Sequence, residues 1–133
     1  MTILDGYNII NSWKSLLDAK SKGLAYAREK LIHDMTQYKD FTGEEVSIVF
    51  DGIRKLDFTI AEHIDTGVIV IFSRDGGSAD AAIERMVYKL KDKSKTLVVT
   101  SDRMIRSMIE GMGARSISAE NFEMEMKQEY STT

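Results

Sequence analysis

Met1-Thr2-Ile3-Leu4-Asp5-Gly6-Tyr7-Asn8-Ile9-Ile10 decides how the rest of the chain reads. An apolar start runs directly into Asp5, so Thr2 to Leu4 reads as a short buried strand with Asp5 at its carboxyl end. Open α/β sheets bind ligands in the crevice outside the carboxyl ends of their strands. A carboxylate there faces a ligand while the core behind holds it. Gly6 allows a sharp exit from the strand, and Asn8 brings a donor and an acceptor to the same crevice. Taken alone, Asp5-Gly6 also fits an ordinary turn.

The same order of residues recurs downstream. Val46 to Phe50 is β-branched and aromatic, hence a strand, and it ends in Asp51-Gly52. Val68 to Phe72 is continuously apolar, as in a strand buried on both faces. Ser73 to Gly77 is a loop, Ser78 an N-cap and Asp80 the second residue of the helix it opens. Thr96 to Val99 is another buried strand, followed by Thr100-Ser101-Asp102. Arg115 to Ile117 reads as a last short strand. Phe58, Ile60 and Ile64, within the segment 54–65, suggest an edge strand or an extended loop.

Amphipathic helices separate these strands. Ser12 to Lys20 is a short helical or irregular excursion. Gly23 opens a helix whose apolar face is Leu24, Ala27, Leu31, Met35 and Tyr38, with Arg28, Glu29, Lys30 and Asp34 opposite. Phe41-Thr42-Gly43 ends it. Ala79, Ile83, Met86, Val87 and Leu90 form the next stripe. Ser101 is read as the cap of a helix burying Met104, Ile105, Met108, Ile109 and Met112, stopped by Gly111 and Gly113. Ser118 caps a final helix with Phe122, Met126 and Tyr130 on one face. Strands alternating with helices imply βαβ units and a mainly parallel sheet. The expectation is one α/β domain over residues 1–133, in three α/β/α layers.

Composition narrows the function. The chain has 133 residues, no cysteine and a net charge of −3. Disulfides and thiolate metal sites are therefore excluded, and a reducing, cytoplasmic setting is the expectation. No apolar run reaches membrane-spanning length, and no basic-then-apolar leader is visible at the start. General nucleic-acid binders are usually basic, so any nucleic-acid contact here needs a local basic patch or another partner. His33 and His63 lack a ligand-spaced partner. Gly76-Gly77 lacks the ending of a phosphate loop.

The chemistry lies in the acids. Asp5, Asp51, Asp80 and Asp102 all fall at strand ends that a parallel sheet gathers along one edge, and Glu84 shares a helix face with Asp80. Clustered carboxylates repel unless a cation lies between them, and hard oxygen ligands suit Mg²⁺ or Mn²⁺. Such ions activate water and clamp a phosphodiester. The plainer account is that Asp80 and Asp102 serve helix dipoles and that Asp51 makes a turn.

Asp5-Gly6-Tyr7-Asn8-Ile9-Ile10, Val49-Phe50-Asp51, Ser78-Ala79-Asp80 with Ile83-Glu84-Arg85, Thr100-Ser101-Asp102, Gly111-Met112-Gly113-Ala114 and Ser118-Ala119-Glu120 together resemble the YacP-like NYN-domain proteins. The resemblance implies a PIN-like fold and metal-dependent endonucleolytic cleavage of RNA, with mRNA on the ribosome as the setting. It implies catalytic roles for Asp5, Asp80 and Asp102. The same acids with Asp51 and Glu84 would bind metal, and Asn8, Ser101, Arg103 and Arg54 would contact substrate. Lys55, Arg74 and Arg106, with Arg54 and Arg103, are candidate RNA-facing cations, for any one of which a solvated surface charge is the plainer account. Family members continue past this point in a basic helical extension, so contacts made by that extension are not expected of these residues. The competing readings are a non-catalytic PIN-like module that binds RNA or the ribosome and a receiver-type signalling domain. The receiver reading needs an acidic pair after the first strand, where only Asp5 stands.

Overall fold

The computed structural model describes residues 1–52, 59–63, 67–73 and 78–131. The elements run β1 (Thr2–Asp5), α1 (Gly6–Ile10), α2 (Lys14–Lys20), α3 (Leu24–Thr42), β2 (Val46–Phe50), β3 (Thr59–His63), β4 (Val68–Phe72), α4 (Ala79–Lys89), β5 (Leu97–Val99), α5 (Arg103–Gly111), β6 (Arg115–Ile117) and α6 (Ala119–Ser131). The sheet order is β3-β4-β2-β1-β5-β6. The pairs β4–β2, β2–β1, β1–β5 and β5–β6 are parallel, so five strands form a parallel sheet. β3 runs antiparallel to β4 at the outer edge. It settles the edge-strand alternative for Thr59–His63; Phe58 and Ile64 lie outside the described residues.

Strand alternation divides the core in two. Leu4, Ile48, Phe50, Val70 and Val99 face one layer, built from α1, α2, α3 and α6. Ile3, Val49 and Val98 face the other, built from α4 and α5. The first layer is knit by Trp13, whose indole N–H donates to the Ala119 carbonyl at 2.8 Å. Trp13 stacks on Phe122, and Tyr38 meets Phe122 edge-on. β1 is buried along its whole length, because it sits mid-sheet with a layer on each face.

Several sequence expectations are corrected. Leu24 is 40% exposed and Met104 83% exposed. Each lies in the first turn of its helix, and in α5 the sheet is met by Ile105 and Ile109, which leaves Met104 turned outward. Ile32 joins the buried face of α3. The cap of α5 is Asp102, not Ser101: its carboxylate accepts from the Met104 and Ile105 amides. Ser78 and Ser118 do cap α4 and α6.

Gly6 has no positive φ among the described glycines. It is needed for space, since a Cβ there would overlap the Phe50 ring at Cε1 and Cδ1. That ring cannot yield, being packed between Tyr7 at 4.9 Å and Phe72 at 5.6 Å. Gly6→Ala is expected to destabilise the fold by roughly 1–3 kcal/mol, as overpacking does. Phe50→Leu should reduce that cost when the two are combined, a coupling that urea unfolding of the four proteins would measure. Strict additivity would refute the close-packing explanation.

Candidate functional site

The order β4-β2-β1-β5-β6 changes direction at β1, whose neighbours β2 and β5 are reached by crossovers on opposite faces. A crevice opens at such a point, outside the carboxyl ends of the strands. Asp5 ends β1 here and is 8% exposed. Its Oδ2 accepts from the Thr100 hydroxyl at 3.0 Å, just past β5. The Thr100 oxygen in turn accepts from the Asp102 amide at 3.2 Å. One fully buried hydroxyl thus sets the orientation of Asp5 and the start of the α5 turn. Thr100 escaped notice as a site residue because a threonine beside a buried strand reads as a strand former.

Asp51 follows β2 and is exposed. Its Oδ1 accepts from the Ala79 amide at 2.6 Å, tying the β2 end to the start of α4. Asp80 lies one residue further along α4. Burial raises the Asp5 pKa from its ordinary 3.8 to about 6; Thr100 opposes the shift, while Asp80, Asp51 and Asp102 add to it. The Asp80 pKa is also raised, first by burial and then by Asp102 and Asp51. The fold therefore brings Asp5, Asp51, Asp80 and Asp102 within mutual electrostatic reach. Glu84 is exposed and is not among the acids acting on Asp5 or Asp80. Among the described residues, none of the four aspartates forms an ion pair.

The polar candidates are partly engaged by the fold. The Asn8 side-chain oxygen accepts from the Ser101 amide at 2.9 Å. The Ser101 hydroxyl donates to Glu120 at 2.9 Å and accepts from the Ala119 amide at 3.1 Å. Together they join α1, the β5–α5 turn and α6 beside the crevice. Arg103 is exposed in the first turn of α5, whereas the Arg106 Nε donates to Ser116 on β6. Arg54, Lys55 and Arg74 lie outside the described residues.

Divalent-ion binding can be tested against this donor set. The four side chains are hard, anionic oxygen donors, the type that Mg²⁺ and Mn²⁺ accept. Among the described residues no three acids or histidines already form a closed ligand group. Mg²⁺ is commonly held by one or two carboxylates, with water and substrate phosphate completing the shell, so the residues fit such an ion. Among the described residues no helix is long and apolar enough to cross a membrane.

The sequence pattern of the YacP-like NYN domain matches residues 2–133. Over 120 residues the chain is 35% identical to "Uncharacterized protein YacP" of Bacillus subtilis (strain 168), covering 88% of this chain and 69% of that one. The crystal structure of Rae1 (YacP) from Bacillus subtilis superposes with a TM-score of 0.78 at 31% identity, covering 99% of this chain and 76% of that chain. A tryptophan-to-leucine variant of Rae1 gives a TM-score of 0.79 at the same 31% identity, over 98% and 77% of the two chains. These likenesses are consistent with a nuclease-type, RNA-related function.

The raised Asp5 pKa has a consequence for stability. The folded state binds the Asp5 proton more tightly than the unfolded chain does. Its stabilising effect is therefore complete below 3.8 and is lost as the pH rises through about 6. Ionised Asp5 thus costs the metal-free protein on the order of 2–3 kcal/mol at neutral pH. Asp5→Asn, which can still accept from Thr100, should raise the melting temperature in chelator at pH 7 and give no such gain at pH 3.5. An unchanged or lower melting temperature at pH 7 would contradict the electrostatic picture.

Proposed function

The chain belongs to the YacP-like NYN domain family, and on that premise we propose that residues 1–133 form one PIN-like nuclease domain, a metal-dependent endoribonuclease. The observation that carries the proposal is the set of four aspartates at the switch point of the sheet, which form no ion pair among the described residues and whose repulsion adds to the burial that raises the Asp5 pKa. A fold maintains such repulsion at a cost, and a bound cation removes it. Asp5, Asp80 and Asp102 are the proposed catalytic acids, and with Asp51 they would hold Mg²⁺ or Mn²⁺. When bound, the ion supplies charge neutralisation on the phosphodiester and a more acidic water. Glu84 is left out of the proposed set because it stands exposed and apart from the electrostatic cluster.

The chain's own residues do the rest. Thr100 fixes the Asp5 carboxylate by committing its Oδ2. Asp51 and Asp102 brace the starts of α4 and α5, so their carboxylates are held by backbone amides. Two helix N-termini therefore open onto the crevice, a setting that favours a phosphate. The Asn8 side-chain amide, which donates to no described residue, is a proposed donor to the substrate, and Arg103 a proposed cation for its backbone. The proposed substrate is RNA, and the family resemblance supports mRNA held on the ribosome in the cytoplasm as its setting.

Incubating the protein with end-labelled RNA and Mn²⁺ should give internal cuts that excess chelator abolishes. Asp80→Asn should slow cleavage by roughly a thousandfold, the upper range for loss of one preorganised electrostatic group. Mn²⁺ at one hundred times its Kd should stabilise the protein by about 2.7 kcal/mol. The shift should shrink in Asp5→Asn and Asp80→Asn but persist in Glu29→Gln. Cleavage that survives chelator, or equal metal shifts in all four proteins, would overturn the metal-dependent mechanism.

A further inference from the structure

We propose that Arg28 binds a backbone phosphate of the RNA adjacent to the one addressed by the acids, an inference that rests on the nuclease reading. Affinity for RNA comes largely from cations that meet phosphates, and this chain carries a net charge of −3. Its sequence places Arg28 among the ordinary charges on the outer face of α3. The structure places it differently. Arg28 is half-buried, and its Nη1 donates to the Tyr7 hydroxyl at 3.1 Å. The guanidinium carbon lies over the Phe72 ring, 5.9 Å from its centroid. Phe72 is the last residue of β4 and stacks on Phe50, the last residue of β2, which in turn meets Tyr7.

Arg28 is thus held on an aromatic platform built at the carboxyl ends of β2 and β4. Tyr7, its hydrogen-bond partner, is two residues beyond Asp5. By strand alternation Asp5 faces the α4 and α5 side, while Tyr7 packs with the α3 side. The cation and the acids therefore flank the same sheet edge, and a strand of RNA crossing that edge from the acids meets Arg28 next.

The guanidinium is oriented without being neutralised. Among the described residues it forms no ion pair, and of its five N–H donors one goes to Tyr7. A planar fork whose other donors are taken by no described residue matches phosphate oxygens.

The test is fluorescence anisotropy of a fluorescein-labelled, mixed-sequence single-stranded oligoribonucleotide, titrated with the full chain in chelator at several KCl concentrations. Arg28→Gln should weaken binding roughly tenfold at low salt, as loss of a charged hydrogen bond does. It should also flatten the plot of log Kd against log salt by about 0.7, the value for one phosphate contact on a single strand. Arg28→Lys should keep the slope and lose part of the affinity. Lys95→Gln, at the opposite sheet edge, should match the wild type. In Mn²⁺ cleavage assays Arg28→Gln should raise KM with little change in kcat. Unaltered affinity and slope in Arg28→Gln, an equal loss in Lys95→Gln, or no wild-type binding at low salt would each overturn the proposal. Chelator-sensitive cleavage with no Arg28 effect sinks this inference alone. Arg28-dependent binding without any cleavage sinks the nuclease reading and leaves the phosphate contact standing.

Discussion

The hydrogen bond from Thr100 to Asp5 is the interaction on which the crevice depends. It joins the ends of adjacent parallel strands that are 95 positions apart in sequence. A carboxylate at the centre of a sheet needs such a partner, because burial disfavours its charge and three other aspartates disfavour it further. The hydroxyl offsets part of that cost and fixes the direction of the charge. What remains uncompensated is the mutual repulsion of the four carboxylates. In the proposed site, function and instability have one source, as they commonly do where charges are concentrated for chemistry.

The surrounding fold serves the same edge. Asp51 and Asp102 each spend an oxygen on backbone amides at the starts of α4 and α5. The plain reading of such acids as helix-start residues therefore describes what they do structurally, and it does not compete with a ligand role, since each carboxylate keeps further lone pairs. Gly6 has a parallel double duty. By leaving room for Phe50 it lets Tyr7 come down onto that ring, and so shapes the rim of the crevice opposite the acids.

Much of this was legible in the sequence where a single physical signal acted alone. The apolar runs at Ile3-Leu4, Val46–Phe50 and Val68–Phe72 read as strands, which they are, although Ile69, Ile71 and Phe72 are only half-buried, and the acids that follow them share an edge because the sheet is parallel. The signals failed where two neighbouring residues met the same requirement. Ser101 and Asp102 both suit an N-cap, and the choice was made by which phase turns Ile105 and Ile109 onto the sheet. Met104 fits the apolar spacing of α5, but the phase that turns Ile105 and Ile109 onto the sheet leaves it facing outward. Thr100 and Arg28 were hidden for another reason. A buried hydroxyl acting on a residue from the first strand, and a cation turned toward an aromatic ring from the fourth, are long-range relations that no local periodicity records.

The long tie between Trp13 and Ala119 bears on how the molecule comes into being. Those two residues are 106 positions apart, and the bond between them closes the layer that covers β1. While the chain is being synthesised from its amino end, Asp5 is made early but its orienting hydroxyl comes only with residue 100, and the tie from Trp13 only with α6. The crevice cannot assemble on a partly made chain. On the nuclease reading, the four acids are together only after residue 102 has been made and has left the exit tunnel.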